Sequence, residues 1–141
     1  MAVTFCDKGL MMEANGHTNP RVLIIEDDPG HQRLIELYLK RAGCHCDFSE
    51  DGKKGIEKAT SCNYDLIFAD LNIPEIDGFM VATLLRERGV EIPLIAVTAL
   101  QLEGIRRKAS AVGYDDFLRK PFGQADIVNI LDKFLTKHSQ H

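Results

Sequence analysis

The sequence predicts a single α/β domain: five parallel strands forming one sheet, with five helices covering both faces. Three observations predict it. Five short apolar runs alternate strictly with five stretches of helical periodicity, the order that a parallel sheet with crossover helices requires. Four of the five runs end on a residue able to do chemistry: Glu26 and Asp27, Asp70, Thr98 and Lys120. The carboxyl ends of the strands are where an open α/β sheet binds its ligands. The third observation is length, because 141 residues are enough to bury one core but few for two domains.

Composition narrows the function. The net charge of −4, from 17 basic and 21 acidic residues, gives no basic surface for direct binding of nucleic acid or an anionic membrane. No apolar run approaches the roughly 20 residues that span a bilayer, and the N-terminus has no secretory pattern. The cysteines at 6, 44, 46 and 62 show no C-x-x-C spacing, so reduced thiols and a cytoplasmic setting are expected.

Residues 1–20 lack sustained periodicity and read as an arm or linker, with a short helix over Leu10–Ala14 as the alternative. The run Arg21–Ile25 is the first strand. Asp28 then suits a helix N-cap and Pro29 a first helical turn. Ile35, Tyr38, Leu39 and Ala42 give that helix its inward stripe, and Gly43 ends it. Cys44–Phe48 is a second strand. Asp51–Ser61 is a helix with Ile56 and Ala59 inward. Leu66, Ile67, Phe68 and Ala69 form the buried third strand, which ends on Asp70 and enters a loop shaped by Pro74 and Gly78. The next helix, Gly78–Arg88, places Val81, Leu84, Leu85 and Arg88 on one face. Pro93–Val97 leads to Thr98. Leu102, Ile105, Ala109 and Val112 stripe a fourth helix that Gly113 closes. Asp115–Arg119 delivers Lys120, and Ile127, Ile130, Leu131 and Phe134 stripe the last helix. Cys44-His45-Cys46 resembles a metal motif only in composition: strand alternation sends the two cysteines to one face and His45 to the other. His138 and His141 belong to a polar tail.

Three carboxylates gathered at one sheet edge repel one another unless a cation intervenes. An all-oxygen acidic site suits Mg²⁺, which takes a few carboxylates and keeps waters. A hydroxyl and an ammonium on neighbouring strand ends can receive phosphoryl oxygens. The chemistry that follows is nucleophilic attack by Asp70 on a phosphoryl donor.

The segments VLIIEDD, FADLNIPEIDG, AVTA and LRKPF, in that order and at these intervals, resemble the receiver domain of two-component response regulators. The resemblance runs from about Arg21 to Phe134. It implies the strand order 2-1-3-4-5 of the flavodoxin-like (βα)5 fold, with residues 21–138 as the receiver. It implies Asp70 as phosphoacceptor, Asp27 as a direct Mg²⁺ ligand, Glu26 as a ligand through water, and the Asn72 carbonyl as a further ligand. Thr98 becomes the switch hydroxyl and Lys120 the phosphate-contacting lysine, with a Lys120–Pro121 bond that is commonly cis in the family. The implied partners are a sensor histidine kinase or histidine phosphotransfer protein and a downstream protein, and a phosphorylation-dependent dimer is compatible with the family. The implied role is self-phosphorylation and dephosphorylation without metabolic turnover. The sequence departs from the family pattern at Glu26, where Asp is more usual, and at Phe117, where a tyrosine would supply a phenol. Leu100 stands where a polar group would orient a hydrolytic water. Two other functions compete. A Mg²⁺-dependent phosphatase with an aspartyl-phosphate intermediate would place a general acid two residues after the nucleophile, where this chain has Asn72. An interaction module that merely keeps the fold would not need the acid, hydroxyl and lysine set.

Overall fold

The structure is a computed structural model and describes residues 19–72, 77–99 and 103–139. The readings made at the N-terminal arm through residue 18, at Pro74, at Leu100 and Leu102, at His141 and at the His138 side chain lie outside what it describes. The elements are β1 Arg21–Ile25, α1 Pro29–Arg41, β2 His45–Ser49, α2 Gly52–Ser61, β3 Leu66–Asp70, α3 Gly78–Glu87, β4 Leu94–Thr98, α4 Glu103–Val112, β5 Asp116–Arg119 and α5 Gln124–Ser139. All strand pairs are parallel, in the order β2-β1-β3-β4-β5, as the resemblance implied.

The three central strands are buried along their whole length, which is why they read as continuous apolar runs rather than alternating ones. Alternation sorts their side chains into two cores. Leu23, Ile25, Ile67, Ala69, Leu94 and Ala96 join the core beneath α2, α3 and α4. Val22, Ile24, Leu66, Phe68, Ile95 and Val97 join the core beneath α1 and α5. The register aligns the strand ends: Asp70 lies opposite Val97 and Thr98 opposite Arg119. The reactive residues therefore emerge together from rigid backbone.

Each of the first three helices starts on an aspartate. Asp28, Asp51 and Asp77 accept from the backbone N–H of His31, Lys54 and Met80 respectively, contacts worth about 1 kcal/mol each. Gly43 closes α1 with φ 88°, a conformation that costs glycine no Cβ clash. The amino ends of the strands are held by Arg86. Its guanidinium donates to the carbonyls of Gly113, Val90 and Ile92 and to Asp115 Oδ2, and Asp115 Oδ2 also accepts from the Leu94 N–H.

The sequence reading needs correction at several places. β2 begins at His45, not Cys44, because His45 N–H bonds to the Pro20 carbonyl and the ladder opens with Arg21 opposite His45. Ala42 is the α1 C-cap and is exposed, so it leaves the inward stripe. Arg88 is likewise a cap, exposed at the end of α3, and Arg86 is the arginine that binds. Cys62 is disulfide-bonded, which departs from reduced thiols throughout. Cys44 and Cys46 are free thiols packed in the same core while His45 is exposed, as alternation required. Burial pushes the two thiols up to about 11 and about 12, leaving neither as a ready thiolate.

Candidate functional site

The site is built where β1, β3, β4 and β5 end. Glu26, Asp27 and Asp70 each present a carboxylate oxygen, all within 4.8 Å of one another. Glu26 is 1% exposed and Asp70 5% exposed, whereas Asp27 faces solvent. Asp70 is held on both oxygens. Oδ1 accepts from the Asn72 backbone N–H at 2.8 Å, and Oδ2 from Lys120 Nζ at 2.7 Å. Lys120 follows β5 with its own N–H bonded to the Thr98 carbonyl, and its peptide bond to Pro121 is cis. Thr98 is buried beside it on β4.

The electrostatics are unbalanced. Burial, followed by the charge of Asp70, pushes the Glu26 carboxyl up to about 7. Burial alone would lower Lys120, yet its bond to Asp70 and the charges of Asp70 and Glu26 outweigh that and raise it, so it remains a cation. One ammonium faces three acids. Glu26 Oε2 accepts from the Asp28 N–H at 3.2 Å. Oε1 lies 3.4 Å from Lys120 Nζ but is buried without a hydrogen bond among the described residues. An orphaned carboxylate oxygen beside two further carboxylates is a donor set that fits a small hard cation such as Mg²⁺.

Glu26 gives a prediction. In the unfolded chain its carboxyl titrates near the ordinary 4.5, and in the folded metal-free chain it is raised to about 7. Folding is therefore unpenalised below the lower value. The burial penalty grows as pH rises between the two and is complete above the upper one. Glu26→Gln removes the charge, so without metal it should melt higher than the parent by roughly 5 °C at pH 8, with the gain shrinking toward pH 5. Thermal melts in a chelator across that range check this; a gain independent of pH would refute it.

The loop after Asp70 is pinned by Gly78. A Cβ at Gly78 would lie 2.5 Å from Leu71 Cα and 2.8 Å from the Asp70 carbonyl oxygen, so α3 begins directly against the backbone that carries Asp70. The Tyr114 hydroxyl donates to the Gly78 carbonyl at 2.7 Å. On β5, Phe117 lies opposite Ala96, on the Thr98 face of the sheet. It is half-buried, with the Arg106 guanidinium from α4 stacked 4.3 Å from the ring centroid.

The residues read from the sequence as phosphoacceptor, metal ligands and switch lie in this region. Glu26, Asp27, Asp70 and Lys120 converge directly, Asn72 braces Asp70 through its backbone, and Thr98 and Phe117 follow on the α4 side. Three contributors escaped the sequence reading. His31 Nδ1 stands 3.2 Å from Lys120 Nζ, Gln32 Nε2 donates to the Glu26 carbonyl, and Arg106 covers Phe117. A signal for the first two existed: α1 follows the acidic strand end at once, so its first turn must flank the site.

The sequence profile described as response regulator receiver domain matches residues 22–132. The chain belongs to the response regulator receiver domain family. Its role is that of a receiver in two-component signalling. This receiver is 32% identical over 124 residues to hybrid signal transduction histidine kinase F of Dictyostelium discoideum, covering 84% of the chain and 11% of the kinase. It is 34% identical over 120 residues to the transcriptional regulatory protein ResD of Bacillus subtilis, covering 85% of the chain and 50% of the regulator. The receiver thus spans half or less of these relatives. Among solved structures, it resembles the receiver domain of sensor histidine kinase PA1611 from Pseudomonas aeruginosa, which holds a magnesium ion in its active-site cleft. That similarity has a TM-score of 0.79 and 30% identity, and covers 84% of this chain and 99% of the other. No helix among the described residues is long and apolar enough to cross a membrane.

Proposed function

We propose that this receiver accepts a phosphoryl group on Asp70 from a phosphohistidine of a sensor kinase or histidine phosphotransfer protein. The observation that carries this reading is the placement of Asp70. It is a buried carboxylate on a rigid strand end, bonded at 2.7 Å to the ammonium of Lys120 and grouped with Glu26 and Asp27. A carboxylate oxygen of Asp70 attacks phosphorus as the P–N bond of the donor breaks. The electron pair leaves with the imidazole, which takes up a proton. Asp27 and Asp70 would hold Mg²⁺ directly, Glu26 through water, and Asn72 through its carbonyl. Bound there, the ion supplies charge neutralisation for the phosphoryl oxygens. Lys120 takes one of those oxygens and the Thr98 hydroxyl another.

Readout then passes through Thr98 and Phe117 to the α4 and α5 side. Phe117 has no phenol to lock an inward position, so its position depends on packing and on the partner. Phosphorylation acts only through its differential interaction with the two states. The receiver is not a turnover enzyme on this reading: Asn72 occupies the position where an aspartyl-phosphate phosphatase would carry its general acid. Residues 21–138 form the receiver unit, with 1–20 as an arm. The setting is cytoplasmic, and the output is protein binding, phosphorylation-dependent dimerisation included, rather than direct binding of nucleic acid or membrane.

The test is incubation with acetyl phosphate, with Mg²⁺ or with chelator, followed by intact mass. One added phosphoryl group in the Mg²⁺ sample alone is expected. No gain in Mg²⁺, or an equal gain in chelator, would overturn the reading.

A further inference from the structure

We infer that His31 is a positioning residue for Lys120, accepting one of its N–H bonds at Nδ1 and holding the ammonium over Asp70. This rests on the proposed phosphoryl transfer at Asp70. An ammonium has three donors and no acceptor. Lys120 Nζ bonds to Asp70 Oδ2 at 2.7 Å and to His31 Nδ1 at 3.2 Å. Its third neighbour, Glu26 Oε1, is 3.4 Å away and lacks a hydrogen bond. Because Lys120 can only donate, the geometry assigns His31 Nδ1 as the acceptor. The ring also passes 3.3 Å from Asp28 Oδ2 and 3.9 Å from Glu26 Oε2, contacts that are ion pairs only on a protonated ring. Asp28 Oδ2 also accepts from the His31 backbone N–H.

The consequence concerns direction. Lys120 sits between a reacting carboxylate, Asp70, and a more deeply buried one, Glu26. Without a counterweight, the flexible four-carbon stem lets the ammonium swing toward Glu26, away from an incoming phosphoryl oxygen. An acceptor fixed on the first turn of α1, itself braced by the Asp28 cap, holds it at the mouth. The His31 side chain is 42% exposed, so its replacement does not open the core. Its contact with Lys120 involves no atom of Asp70, and so it survives when Asp70 becomes an acyl phosphate.

The test compares His31→Phe, which keeps bulk but has no acceptor, with His31→Asn, whose Oδ1 occupies the same branch position as Nδ1. The phosphorylation rate is measured against acetyl phosphate concentration at saturating Mg²⁺, in the parent and in a Lys120→Ala background. Loss of this one hydrogen bond predicts a roughly three- to tenfold lower maximal rate for His31→Phe. The half-saturating donor concentration and the Mg²⁺ affinity should be unchanged, with recovery in His31→Asn and no further effect once Lys120 is absent. Equal rates for His31→Phe and parent, equal slowing by Phe and Asn, or the same factor in the Lys120→Ala background would each overturn the inference. A second measurement is independent of phosphorylation: the ¹⁵N–¹H signal of the Lys120 ammonium should exchange slowly with water in parent and His31→Asn but fast in His31→Phe. If the parent took up no phosphoryl group, transfer at Asp70 would fail, and the ammonium signal would still decide whether His31 holds Lys120.

Discussion

Asp70→Asn is expected to abolish phosphorylation while the fold persists. An amide cannot be the nucleophile that forms an acyl phosphate, and neither Glu26 nor Asp27 can replace it. Glu26 is 1% exposed and tied to the Asp28 N–H, and Asp27 is exposed beyond the end of β1. Thr98 offers only a neutral hydroxyl, a weak nucleophile. The substitution is nearly isosteric, and the Asn side-chain oxygen still accepts from Lys120 or from the Asn72 N–H. Removing one of three mutually repelling carboxylates should leave the metal-free protein at least as stable as the parent. Intact mass after acetyl phosphate and Mg²⁺, read beside a thermal melt, tests both halves. Equal phosphoryl gain in parent and variant would falsify the assignment of Asp70.

The largest effect on stability is expected at the other end of the sheet. Arg86→Ala removes donors from the carbonyls of Gly113, Val90 and Ile92 and from Asp115. Those acceptors belong to the segments that lead into β4 and β5, and they are only partly reachable by water. Stranding several of them at once should cost about 3 kcal/mol, or roughly 10 °C in melting temperature. Gly113 adds to the dependence: it has φ 120° and packs against the Arg86 stem, so loss of the side chain also uncovers the turn before β5. Because these groups sit at the amino ends of the strands, the folded variant should phosphorylate at the parental rate when measured well below its melting point. Urea or thermal unfolding and a phosphorylation time course check the pair; a stability loss under 1 kcal/mol would show that water replaces the guanidinium.

The sequence disclosed the sheet and the reactive strand ends because both are written in local patterns. A buried parallel strand must be an apolar run, and Asp70, Thr98 and Lys120 each stand where such a run stops. The register of β2 was less legible. Its start is fixed by a bond from His45 to Pro20, a contact that residue alternation in Cys44–Phe48 does not encode. Periodicity put Arg88 on the inward face and passed over Arg86, because the path of the strand-entry loops, which decides which arginine finds carbonyls, is not written in helical spacing. His31 went unread because its partner is 89 residues away in the chain. Phe117 was legible as a departure from the usual tyrosine, but its guanidinium cover from Arg106 depends on how α4 lies across β5.

The close fit of Gly78 against Leu71 and the Asp70 carbonyl gives the receiver a fixed side. With no gap between α3 and the backbone bearing Asp70, and with Tyr114 fastened to the Gly78 carbonyl, that helix works as an abutment. Force developed at Asp70 meets a wall there. The Phe117 side is bounded instead by an aromatic ring and a surface arginine, which can slide over each other at little cost. On the proposed readout, the moving side therefore lies across β4, β5 and α4, and stiffening the α3 foot further should leave transmission unchanged.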